Sequence, residues 1–212
     1  MIFVGYDPGG NGKQGVAALD IDAGRTKSIV VKTLFSAEHV LDWFLKLSPT
    51  PQAIGVDTLT NWSTGPSGLR PADRWLREKY PEVAGSVMAS NSLYGAMSVN
   101  GMAVLKELRD KYSNLVITET HPKVLHFHLC KQQFDFNESD DSKSRMNKFL
   151  EDQLGTPVDC QTDHEWDAAA SALAAYRWHS RKWINDLHLL PRSDKERSIQ
   201  PCGSTHYAWP SE

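Results

Sequence analysis

Basic residues are not in excess in this chain: 23 Lys and Arg stand against 26 Asp and Glu, a net charge of −3 over 212 residues. That balance excludes a generally basic nucleic-acid coat and confines any polyanion site to a local patch. Cysteine is scarce as well. Cys130, Cys160 and Cys202 are odd in number and lack C-x-x-C spacing, which excludes a disulfide framework and a zinc knuckle. No apolar run approaches the roughly 18 to 20 residues of a membrane span, and the opening Met1–Asp7 segment lacks the basic region of a secretory signal. A soluble cytoplasmic protein without a membrane partner is expected. There is no internal repeat. What remains, 40% hydrophobic and 23% charged residues, is ordinary for one globular domain with some inserted or trailing material.

Period and punctuation order the chain. Ile2, Val4 and Tyr6 alternate with Phe3, Gly5 and Asp7, and the turn signal Asn11-Gly12 leads into a second strand at Gly15–Ile21. A third strand spans Ser28–Phe35. Helical period then takes over at Val40, Leu41, Phe44 and Leu45, with Ser36 as N-cap and Pro49 beyond the end. A strand at Ala53–Asp57 precedes a long polar connection, Thr58–Asn100, that holds a short helix around Pro71–Lys79. A helix over Gly101–Tyr112, a strand over Leu115–Thr120, and helices over Ser142–Leu154 and Asp163–Trp183 follow, with Gly155 as a C-terminal stop. Apolar density falls from about Asn185, and Pro191, Pro201 and Pro210 suggest an extended or disordered tail over 184–212. The order β-β-β-α-β-(insert)-α-β-α-α predicts an α/β fold. Its core is a mixed five-stranded sheet with helices on both faces, built from residues 1–183 with an insert at about 58–100.

Two strands end in the same way, Gly5-Tyr6-Asp7 and Gly55-Val56-Asp57. Residues two apart on a strand share a face, so each carboxylate has a side-chain-free glycine behind it and room beside it. Pro8 biases Asp7 towards an extended conformation. Either Asp alone equally suits the opening of a turn; the repetition favours function. The third element is His164-Glu165-Trp166-Asp167-Ala168-Ala169-Ala170, opening the last long helix. Asp163, His164 and Asp167 point to nearly one side of its first turns, followed there by the small residues Ala170, Ser171 and Ala174. Helix-dipole complementarity accounts for Asp163 and Glu165, but less well for an Asp on the sheet-facing side, where a carboxylate is desolvated unless paired or metal-bound. Asp7, Asp57 and Asp167 together form a hard-oxygen pocket suited to Mg²⁺ or Mn²⁺. Two such ions about 4 Å apart activate a water and stabilise the leaving oxygen of a phosphodiester. Glu119, at the end of another strand with His121 on its face, is a fourth candidate ligand, with a structural role equally open.

The segments GYDPG and HEWDA resemble the first strand and last helix of RNase H-like resolvases and nucleases. More specifically, Val56-Asp57, Gly68–Arg74, Ser98–Gly101, Thr118–Pro122 and Asp167-Ala168, in order, resemble a predicted nuclease family catalogued as domain of unknown function 429. The resemblance covers most of residues 1–183. It implies an RNase H-like fold and a metal site at Asp7, Asp57 and Asp167, and it leaves the substrate open. The second position here is Asp57, where many RNase H-like enzymes carry Glu.

The insert leaves from a strand that ends in a candidate ligand, so it should sit above the metal site. Its Arg70, Arg74 and Arg77 recur at helical spacing with Trp62 and Trp75 nearby. Arg70, Arg74 and Trp62 are the candidates for phosphate contact and base stacking, and Trp75 reads as core. The function expected is a Mg²⁺- or Mn²⁺-dependent nuclease with DNA or RNA as partner, acting by a two-metal mechanism. His164 serves there as the group that orients a ligand or transfers a proton. Two rivals stand beside it. One is a nucleotide- or phosphate-binding protein in which Asp7–Gly12 cradles phosphates, as in the sugar-kinase and actin superfamily. The other is a non-catalytic module that docks on a partner nuclease or helicase. A protein partner or a homo-oligomer fits any of them.

Overall fold

A computed structural model describes residues 1–63, 65, 67–89, 95–194 and 196–211. Its first three strands, β1 (Ile2–Asp7), β2 (Gln14–Asp22) and β3 (Arg25–Leu34), form an antiparallel meander. The turn between β1 and β2 closes at Gly12, whose φ of 74° is a conformation that asparagine-glycine turns use. Helix α1 (Ala37–Leu45) follows, capped by the Ser36 side chain as its sequence predicts, and returns the chain to β4 (Ala53–Val56), parallel to β1. Residues beyond β4 form β5 (Trp62–Ser63), α2 (Pro71–Lys79), a 3₁₀ segment at Pro81–Ser86 and α3 (Gly95–Lys111), which begins inside the expected insert. Then come β6 (Val116–Glu119), parallel to β4, and helices α4 (Pro122–Cys130), α5 (Asp140–Leu154) and α6 (Asp163–His179). The α4 helix was not anticipated. The strand order β3-β2-β1-β4-β6, antiparallel then parallel, is the RNase H-like arrangement.

Two findings correct the expected architecture. The main sheet has seven strands, not five, and the segment after residue 184 is not a disordered tail. β7 (Asn185–Asp186) and β9 (His206–Trp209) extend the sheet beyond β6, with β9 parallel to β6, while β8 (Ser198–Ile199) pairs with β5 in a separate ribbon. Tyr207, Ala208 and Trp209 are buried, and the Ala208 N–H donates to Thr118 Oγ1 at 2.9 Å. The prolines that suggested disorder bound these short strands instead of interrupting them.

The sheet has a core on each face. Ile2, Val4 and Tyr6 pack with Phe44 of α1 and Leu105 of α3, whereas Phe3 packs with Leu19, Leu150 of α5 and Trp166 of α6. A third cluster joins Leu76 of α2 and Tyr80 at its C-terminal end to Leu125 of α4 and Trp209 of β9. Trp75 packs against that cluster, as its core reading requires. Among the described residues no helix is long and apolar enough to cross a membrane.

Candidate metal centre

The position of α6 is set by three glycines. A Cβ on Gly5 would lie 1.7 Å from the Ala168 carbonyl oxygen, one on Gly15 1.9 Å from that of His164, and one on Gly55 2.0 Å from that of Ser171. The space expected beside the two strand-end aspartates is thus filled by helix backbone. Close approach of α6 to β1, β2 and β4 carries its first turns to the carboxyl ends of the strands. Thr162 caps the helix by accepting the Glu165 N–H at 3.2 Å, and Thr120 and Ser171 hydroxyls meet at 2.7 Å between β6 and α6.

Asp7, Asp57 and Asp167 consequently converge: each offers a carboxylate oxygen, and the three atoms lie within 4.8 Å of one another. Asp7 and Asp167 are 3% and 4% exposed, and Asp57 opens onto a cavity of about 230 Å³. Burial pushes all three carboxyls above the ordinary range; repulsion from Asp57 adds to the shift of Asp7, repulsion from Asp7 and Asp57 to that of Asp167, and repulsion from Glu119 to that of Asp57. His164 Nδ1 lies 2.6 Å from Asp7 Oδ2, and burial lowers the imidazole while raising the carboxyl, which favours the neutral form of the pair. Asp167 Oδ1 is buried without a hydrogen-bond partner. An orphaned carboxylate oxygen among three crowded acids is what a hard divalent cation satisfies, so the donor set fits Mg²⁺ or Mn²⁺.

Glu119 is not part of this group. It ends β6 one strand away, and Arg70 holds it through Nη1 at 2.8 Å and Nη2 at 2.5 Å. The Thr60 N–H and hydroxyl donate to the same carboxylate at 2.9 and 3.1 Å. Burial alone would raise this carboxyl, but the Arg70 guanidinium, joined by His188 at 3.4 Å, outweighs burial and holds it far below the usual range. Of the two roles left open for Glu119, these contacts match the structural one: it is ion-paired to Arg70 and does not join the three aspartates.

The same contacts engage Arg70. It is 4% exposed and also grips Asp73 through Nε at 2.9 Å and Nη2 at 2.7 Å, so although it lines the same cavity as Asp57 its guanidinium is committed to carboxylates of the chain. Its helical spacing from Arg74 is real, but Arg70 is the residue before α2 and turns inward. Arg74 pairs through both terminal nitrogens with Glu196, with Nη2 at 2.8 Å from Oε2, and gives Nη1 to the Leu69 carbonyl at 2.8 Å. Trp62 sits in the β5–β8 ribbon opposite Ile199, with its indole nitrogen buried and unpaired, and does not line the cavity at Asp57. Of the three candidates for phosphate contact and base stacking, Arg70 borders the cavity at Asp57, whereas Arg74 and Trp62 do not line it.

The insert does reach the site. Thr58, Leu59, Val87, Met88 and Met97 line the cavity with Asp57, and Gly101 lets α3 close onto Thr58 and Pro8. The loop after β1 is braced: Gln14 accepts the Gly9 N–H at 3.4 Å and the Tyr6 hydroxyl at 2.6 Å, and Asn100 Nδ2 donates to the Gly9 carbonyl at 2.7 Å. With the Gly9 amide engaged, the loop offers less of a phosphate cradle than its glycines imply.

Sequence reasoning missed Lys123. It lies in the first turn of α4, lines the same cavity as Asp57, and is raised because Asp167, Asp57, Asp163 and Asp7 together outweigh the burial that would lower it. The available signal was His121-Pro122 after a strand end, since proline favours the first helical position.

The family model described as "Protein of unknown function (DUF429)" matches residues 5–194. Comparison with curated proteins gives no match. Among solved structures, the chain is similar to Thermus thermophilus RuvC, at 12% identity and a TM-score of 0.48, over 85% of this chain and 97% of that one. It is also similar to T. thermophilus RuvC in complex with Holliday junction substrate, at 12% identity and a TM-score of 0.45, over 94% of this chain and 99% of that one.

Proposed function

Because the chain belongs to the DUF429 family, whose description assigns no activity, we propose its function from the site itself: a divalent-metal-dependent nuclease that hydrolyses phosphodiester bonds of nucleic acid. One observation carries this reading. Three aspartates from three separate segments bring carboxylate oxygens within 4.8 Å of one another, and one of those carboxylates keeps a buried oxygen unsatisfied. Desolvating acids in this way costs several kcal/mol unless a cation compensates them.

Asp7, Asp57 and Asp167 hold the cation or cations, with Asp7 delivered by β1, Asp57 by the residue after β4 and Asp167 by α6. Mg²⁺ or Mn²⁺ bound there supplies an activated water and charge stabilisation at the leaving oxygen, the two-metal chemistry of phosphodiester hydrolysis. His164 fixes the orientation of the Asp7 carboxylate through their 2.6 Å contact. The cavity wall formed by Thr58, Leu59 and Met97 bounds the side from which a nucleotide approaches Asp57. Nucleic acid is the partner this chemistry calls for.

The test is cleavage by the purified protein. Single-stranded, duplex and branched DNA and RNA are incubated with Mg²⁺ or Mn²⁺, using wild type, Asp7→Asn and Asp167→Asn. The expected result is metal-dependent cleavage of at least one substrate, abolished in both variants while their melting transitions remain cooperative. Full activity in either variant, or no cleavage of any substrate by wild type, contradicts the proposal.

A further inference from the structure

Lys123 is placed against the usual preference of its helix. It occupies the first turn of α4, immediately after Pro122, where the helix dipole is positive and disfavours a cation. What offsets that placement is the acidic cluster: Asp57 lines the same cavity, and Asp167, Asp57, Asp163 and Asp7 together raise the ammonium against the burial that would lower it. Yet among the described residues Lys123 forms no ion pair within 4.0 Å. Nζ lies 5.0 Å from the centroid of the Phe134 ring, which supports the side chain from behind. Lys123 also borders two hollows at once, the one that Asp57 lines and a second of about 310 Å³ reached past Ser86 and Phe134. The ammonium thus shares a cavity with Asp57 and is bonded to none of the three carboxylates.

We infer that Lys123 is the resident counter-ion of the aspartate cluster, competing with the divalent cation for the same carboxylates and so setting the affinity of the site for metal. A fixed positive charge that stabilises three crowded acids must be outcompeted when a second cation arrives, because both draw on the same negative charge. Coulomb attraction in a partly desolvated site is screened less than at the surface, which makes this competition large compared with a surface ion pair. Phe134 and the second hollow give the displaced side chain somewhere to go. The inference rests on the metal-site reading of the aspartates and is independent of whether the reaction is nuclease cleavage.

Mn²⁺ titration without nucleic acid, followed by calorimetry on the full chain, tests it. Lys123→Met should bind Mn²⁺ about tenfold more tightly or better, since removing the competing charge favours the ion. The same variant should melt lower than wild type in chelator. Lys123→Arg, which keeps the charge, should stay within about threefold of wild type for Mn²⁺. Lys123→Met with unchanged or weakened affinity overturns the inference. Asp7→Asn is the control that separates the two failures: if it binds Mn²⁺ as wild type does, the metal-site reading itself fails. A measurement on wild type needs no variant to fold. The reactivity of Lys123 towards an amine-specific reagent, read by mass spectrometry of the digested protein, should rise several-fold on adding Mn²⁺ as the ammonium loses its carboxylates. Unchanged or reduced reactivity at saturating Mn²⁺ overturns the inference independently.

Discussion

Two acidic clusters lie one strand apart at the same edge of the sheet, and they are buried for opposite reasons. Glu119 and Asp73 surround Arg70, which donates to both, and Thr60 completes the shell of Glu119. Among the described residues no such guanidinium holds Asp7, Asp57 or Asp167, and Asp167 Oδ1 has no hydrogen-bond partner. The first cluster drives a carboxyl far below its ordinary range, and the second drives three carboxyls above it. Burial by itself is thus uninformative about function; the charge balance around the buried acid separates a structural node from a site that awaits a ligand.

The sharpest way to break the comparison is to unbalance the balanced cluster. Arg70→Ala should cost about 3–5 kcal/mol of stability, because it leaves Glu119 and Asp73 buried without their cation. Asp167→Asn should cost little or nothing in chelator, since it removes one of three mutually repelling charges. Urea denaturation of both variants checks this. Equal losses would mean that the two clusters play the same structural role.

The pH dependence of stability separates them in sign. Aspartates whose folded values are raised contribute stability that is fully present below the unfolded value of about 3.9 and is lost as pH rises through the folded values. Glu119, depressed in the fold, contributes stability that is present above its unfolded value of about 4.3 and is lost as pH falls through the folded one. In chelator, wild type should therefore lose stability relative to Asp167→Asn as pH rises from about 4 towards neutrality. Denaturation midpoints of the two proteins against pH provide the check, and parallel curves would show that Asp167 is not raised.

A smaller effect is expected at Asp57. Asp57→Asn should melt slightly higher than wild type in chelator, and it should gain less from Mn²⁺, whose stabilisation follows RT ln(1 + [M]/Kd). An Asp57 that merely shaped a turn would give the reverse sign in chelator, about 1 kcal/mol of lost hydrogen bonding. Scanning fluorimetry distinguishes the two.

The unbalanced cluster was more legible in the sequence than the balanced one. Gly5 and Gly55, each two residues before an aspartate, marked room beside the carboxylates, which the backbone of α6 fills, and the spacing of Asp163, His164 and Asp167 marked the side of that helix which carries them. Nothing local distinguishes Glu119-Thr120 from Asp57-Thr58. What separates them is Arg70, which comes from the insert and is paired across 49 residues of chain. Arg70 and Arg74 look like one solvent-facing stripe because period alone does not reveal that the first of them precedes the helix and turns inward. Lys123 was hidden with α4, a helix of nine residues directly after a strand. The C-terminal strands were hidden by their shortness: β9 offers only four residues, too few for alternation to outweigh neighbouring prolines.

The metal centre is tested most directly by diffraction from crystals of the protein soaked in Mn²⁺ and measured at a wavelength where manganese scatters anomalously. An anomalous peak within coordination distance of Asp7, Asp57 and Asp167, absent from Asp7→Asn crystals treated alike, is the predicted result. A peak at Glu119, or none near the three aspartates at saturating Mn²⁺, would contradict it.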